Sequence, residues 1–130
     1  MNQFVLDASA LLAFLNAEHG AKRVTDVIFN EKCALLTINL TEILTRLADW
    51  HVPLADAQTR LDALNFRIIP FDQHLAFMTA ELRTATRHLG LSLGDRACLA
   101  LAQQQNATAL TADRSWLKLD IGIKIECILD

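Results

Sequence analysis

The chain has 130 residues, of which 52% are apolar and 21% charged, and its formal net charge is −3. Those figures exclude a disordered chain and a pair of ordinary domains, and they predict one globular domain over residues 1–130 with a sizeable core. They also exclude a global electrostatic pull on nucleic acid, so any bound polyanion must meet local cations or a bound metal.

Phe4 to Leu6 reads as a short strand ending at Asp7, and ASALLAFLNAE after it reads as a helix. A second helix is predicted over residues 21–29, then a strand over CALLT (33–37) and a helix from about Asn39 to Trp50. Pro53 breaks the chain and suits the first position of a helix over 54–64. RIIPF (67–71) is a strand that Pro70 ends or places at a sheet edge, and a long amphipathic helix over 73–88 stops at Gly90. LSLGDRACLALA opens a further helix running to about Gln105, TALT (108–111) is a strand, and IKIECI (123–128) is the last one. Short strands alternating with helices predict a mainly parallel sheet covered on both faces, an α/β sandwich. Strand order does not follow from the pattern.

Cys33, Cys98 and Cys127 lie in apolar runs without C-x-x-C spacing, which predicts small buried side chains in a reducing cytoplasm. The four histidines have no ligand spacing, so a zinc site is not expected. The apolar start lacks a basic flank and is interrupted by Asp7. No run reaches the roughly 18 apolar residues of a membrane span, so a soluble cytoplasmic protein is expected. Trp50 and Trp116 read as packing residues, and Arg83, Arg87 and His88 as a solvated helix face.

Four acids occupy related places in this scheme. Asp7 and Asp113 end strands, while Glu42 and Asp95 lie in first turns of helices. Open α/β sheets bind ligands at the carboxyl ends of their strands, which sends Asp7, Glu42 and Asp113 to one edge. Asp95 follows a helix, and the pattern alone leaves its place open. Each acid also has a purely structural use. Asp7 and Asp113 can cap the turns that follow them, Asn39 with Glu42 and Ser92 with Asp95 have capping-box spacing, and Glu42 can pair with Arg46. Periodicity nevertheless puts Asp95 on the stripe of Leu99 and Ala102, facing inward. Two carboxylates about 5 Å apart repel by roughly 3 kcal/mol at an effective dielectric near 20, so a cluster takes up protons or recruits a cation. Oxygen ligands without His or Cys favour Mg²⁺ or Mn²⁺, which suit phosphodiester hydrolysis.

These motifs also carry a resemblance. VLDASALLAFL, TINLTEILTRL, LSLGDRACLALA and LTADRSW resemble, in order, the D-x-S, N-x-x-E, L-x-x-x-D and T-x-D motifs of the PIN-domain ribonucleases, in particular the VapC toxins of type II toxin–antitoxin modules. The resemblance implies a PIN-like three-layer α/β/α sandwich and a Mg²⁺-dependent endoribonuclease in which Mn²⁺ can substitute. Asp7, Glu42, Asp95 and Asp113 would be its catalytic and metal-binding acids, with Ser9, Asn39 and Thr111 in support. It also implies a homodimer and a neutralising VapB-type antitoxin. Arg96 departs from the small residue usual there; it can hold substrate phosphate or pair with an acid, and Arg114 is a second candidate for substrate contact. The alternatives are an RNA-processing PIN nuclease without an antitoxin and a Mg²⁺-dependent phosphatase of the haloacid-dehalogenase type. The latter normally has D-x-D where this chain reads Asp7-Ala8-Ser9.

Overall fold

Phe4, Val5 and Leu6 are buried in succession in strand β1 (Gln3–Leu6), as a strand covered on both faces requires. The computed structural model describes residues 3–129. Phe4 and Leu6 enter one core with helices α1 (Ala8–Leu15), α2 (Ala21–Asn30), α3 (Thr37–Asp49) and α4 (Leu54–Asp62). Val5 enters the opposite core with α5 (Gln73–Glu81) and α7 (Leu93–Gln105). Strand β2 (Lys32–Leu36) repeats the alternation, with Cys33 and Leu35 on the first side and Ala34 and Leu36 on the second. The result is a three-layer α/β/α sandwich.

The remaining strands are β3 (Arg67–Ile69), β4 (Thr108–Thr111) and β5 (Lys124–Cys127), and the sheet order is β3-β2-β1-β4-β5. All four pairings are parallel. The chain moves outward from β1 to β3, then crosses back to lay β4 on the other side of β1. That reversal makes the carboxyl end of β1 a topological switch point, the usual ligand crevice of an open α/β sheet. Asp7 stands there, its N–H donating to Leu110 O at 2.9 Å.

Two elements differ from the sequence reading. Helix α3 begins at Thr37, directly after β2, with Leu36 in the capping position and no side-chain cap. Asn39 and Glu42 therefore form no capping box, and both side chains are released for other contacts. The long helix expected over 73–88 is broken into α5, the short α6 (Arg83–Thr86) and a 3-10 turn at Arg87–Leu89, closed by Gly90 at φ 64°. Thr86 Oγ1 donates back to Leu82 O at 2.8 Å, a bond that bends helices. Pro70 follows β3, an edge strand, as expected. Among the described residues no helix is long and apolar enough to cross a membrane.

Candidate functional site

In a parallel sheet the covering helices run back against the strands, so the helices that lead into strands begin at the carboxyl edge. Helix α7 leads into β4, which brings its first turn and Asp95 to the same edge as Asp7. This settles the one placement that periodicity left open. Asp7, Glu42 and Asp95 line a cleft of about 210 Å³ there, together with Ala8, Ser9, Leu12 and Arg46.

Asp7 is the innermost acid, 3% exposed. It occupies the capping position of α1, but its side chain makes no capping bond. Instead Ser9 Oγ donates to Asp7 Oδ2 at 2.6 Å and Thr111 Oγ1 donates to the same oxygen at 3.0 Å. Each hydroxyl in turn accepts a backbone N–H, Ser9 from Ala112 at 2.9 Å and Thr111 from Asp113 at 3.1 Å. The end of β4 is thereby tied to the end of β1 through one carboxylate oxygen, and Oδ1 is left for a ligand. Burial pushes the Asp7 carboxyl up to about 7 against the lowering effect of the Ser9 and Thr111 bonds, and the charges of Asp95 and Glu42 add to the rise.

Glu42 is held by Asn39, whose Nδ2 donates to Glu42 Oε1 at 2.8 Å and to Gly94 O at 3.1 Å. One buried amide thus joins α3 to the first turn of α7. Burial raises the Glu42 carboxyl, the Asn39 bond lowers it, and Asp95 raises it again. Asp95 serves two ends. Its N–H donates to Ser92 Oγ at 3.2 Å and its Oδ2 accepts from Ser92 N at 3.0 Å, a complete capping box. It also faces Asp7 and Glu42 closely enough to raise both. Gly94, which sequence reasoning passed over, lets this happen: a Cβ there would overlap the Glu42 carboxylate. The signal was available, since a glycine inside the first turn of a helix costs about 1 kcal/mol against alanine and needs a reason.

Other candidates stand apart. Asp113 is at the same edge but exposed, and its Oδ1 accepts from Ser115 N at 2.9 Å, so its carboxylate caps the 3-10 turn over Arg114–Lys118. Arg114 opens that turn and is exposed. Arg96 Nη1 donates to Thr79 O at 3.1 Å, which ties it to α5. It is Arg46, read from the sequence as a partner for Glu42, that lines the cleft; it makes no ion pair with Glu42. Trp116 is fully buried, as expected, whereas Trp50 is 40% exposed.

A divalent cation suits this cleft on its donor set. Three carboxylates supply only hard oxygen donors, one of them is buried, and Asn39 Oδ1 is buried with no hydrogen-bond partner. Among the described residues, no group of three His, Cys, Asp or Glu side chains is yet gathered so as to enclose an ion.

No curated protein sequence matches the chain. Solved structures do. A toxin–antitoxin complex from Klebsiella pneumoniae is similar at 21% identity, with 97% of this chain and 98% of that chain covered and a TM-score of 0.74. A DNA-bound VapBC from Salmonella typhimurium is 16% identical over 98% of this chain and 99% of that chain, with a TM-score of 0.74. A VapBC from Rickettsia felis bound to a promoter DNA fragment is 21% identical over 96% and 98%, with a TM-score of 0.72. At these identities the likeness shows a common fold. A family profile described as PIN domain matches residues 4–122, nearly the whole molecule including every acid of the cleft, and the chain belongs to the PIN domain family.

Proposed function

We propose that the chain is a divalent-metal-dependent endoribonuclease of the VapC toxin type. The observation that carries this reading is the convergence of Asp7, Glu42 and Asp95 on one cleft at the switch point, with more acceptor oxygens than donors around them. A Mg²⁺ or Mn²⁺ ion held by these acids would supply Lewis-acid stabilisation of the phosphoryl oxygens. The chain's own residues do the positioning. Ser9 and Thr111 fix Asp7 through Oδ2, Asn39 fixes Glu42 through Oε1, and Ser92 fixes Asp95. Glu42, with its carboxyl raised by burial, is suited to take a proton from an attacking water. Asp113 is the outer acid of the set.

The similar structures named as toxin–antitoxin and VapBC complexes support a partnership with a VapB-type antitoxin, and a cytoplasmic homodimer is the state that the sequence reading implies. Such a partner can silence the cleft by placing an Arg or Lys side chain among the acids, where its charge replaces that of the ion.

Protein purified free of any antitoxin is expected to cut RNA with Mg²⁺ or Mn²⁺ and to stop in EDTA. Asp7→Asn, Glu42→Gln and Asp95→Asn should each abolish cleavage while circular dichroism stays native. Asp113→Asn should cost less, because that carboxylate is exposed and already serves Ser115. Cleavage indifferent to chelation, or restored by zinc alone, contradicts the reading.

A further inference from the structure

Glu42, Arg46 and Trp50 follow one another at four-residue intervals, so they share a stripe of α3 in steps of about 6 Å. The stripe begins in the acidic cleft and leaves it. Arg46 lines both that cleft and a second groove of about 450 Å³, and Ser9 and Leu12 are common to the two, so the spaces adjoin. The second groove is walled by Leu12, Ala13, His19, Arg46, Trp50 and Leu129. Its size falls within the roughly 300–1,000 Å³ of small-molecule sites.

We propose that this groove binds one nucleotide of single-stranded RNA beside the bond to be cut, with Trp50 stacking on the base and Arg46 holding a phosphate. The inference rests on the ribonuclease reading and names where the strand goes when it leaves the acids. Exposed indole beside apolar side chains is the surface on which bases of any identity stack. The Arg46 guanidinium makes no ion pair or hydrogen bond among the described residues, although Glu42 is one turn away. It is thus available to an anion at the mouth of an otherwise acidic cleft. Glu18 also borders the groove, but it is engaged by Asn16 Nδ2 at 3.1 Å. A basic peptide lying here would meet Arg46, whereas the acids beside the groove are the ones that the ribonuclease reading gives to the cation. A nucleotide alone pairs an apolar face with one negative charge in the order the stripe presents.

The test uses the Asp7→Asn chain in Mg²⁺, which should not cut, titrated with a short oligoadenylate. Trp116 is fully buried, so a change in tryptophan emission reports Trp50. Quenching is expected, and Trp50→Phe should abolish it while binding, followed by anisotropy of labelled RNA, stays within about twofold, since a phenyl ring still stacks. Trp50→Ala should weaken binding roughly tenfold. Arg46→Ala should reduce the slope of log affinity against log salt by about 0.7. In the cutting protein, Trp50→Ala should raise KM with little change in kcat. Unquenched emission and unchanged affinity in Trp50→Ala, while the wild-type chain still cuts RNA, would overturn the subsite and leave the nuclease standing. Quenching by RNA while the wild-type chain cuts no RNA in Mg²⁺ or Mn²⁺ would keep the subsite and remove the nuclease. Quenching by a basic peptide but not by RNA would overturn the proposal and give the groove to a protein partner.

Discussion

A carboxylate that accepts two hydroxyl hydrogen bonds ordinarily titrates low, yet Asp7 is pushed up to about 7 because burial outweighs Ser9 and Thr111, with Asp95 and Glu42 adding repulsion. Unfolded, the same group titrates near 3.8. Between those values the folded chain holds a proton that the unfolded chain has lost. The metal-free stability from this residue is therefore full below about pH 4 and is lost as pH rises through about 7. In EDTA, wild type should lose melting temperature relative to Asp7→Asn between about pH 4 and about pH 7, because the amide has no charge to bury. Parallel pH profiles for the two proteins contradict this. Asp7, Asp95 and Asp113 were legible in the sequence because each stands at an element end. Glu42, expected in a first turn, lies in the second turn of α3 because that helix begins at Thr37. The choice between cap and cluster for Asp95 was not legible, since a carboxylate has two oxygens and the structure uses the residue for both. Trp50 reads as a packing residue in the sequence, but at the C-terminal cap of α3 it is 40% exposed.

Helices α3 and α7 meet where Glu42, Asn39 and Gly94 touch, and the closeness of that meeting is a property of elements, not of any one acid. A Cβ at Gly94 overlaps the far end of a long side chain, which can swing away, so the fold has a way to accommodate it. Gly94→Ala should therefore keep a native spectrum and a melting temperature near wild type, helped by alanine's better helix propensity of about 1 kcal/mol. Its cleavage should fall steeply, because Glu42 loses its place. A variant that unfolds, or that cuts normally, contradicts this positioning role. Most elements could be read from period and punctuation: β1, α2, α7, β4 and the edge position of β3 all lie within a residue or two of expectation. The start of α3 was misplaced because Asn39 and Glu42 have capping-box spacing, while the strand passes into the helix with no polar cap at all. The break after Glu81 was invisible to periodicity, since the apolar stripe continues while Thr86 bends the backbone.

At the scale of the molecule, the order β3-β2-β1-β4-β5 turns four sequence-distant motifs into one edge. No local signal encodes that order; it follows from packing β4 against β1 after β2 and β3 have gone the other way. A chain of net charge −3 then gathers Asp7, Glu42 and Asp95 at one edge, and the proposed cleavage of a polyanion there requires a cation in the cleft. Thermal melting at about pH 8, in EDTA and in millimolar Mg²⁺, tests that requirement for wild type and Asp7→Asn side by side. The account predicts that the variant melts higher than wild type in EDTA, and that Mg²⁺ raises wild type clearly and the variant less, because an amide binds the ion more weakly. An equal rise in both proteins, or none in wild type, would mean that the carboxylates of this cleft do not bind the ion.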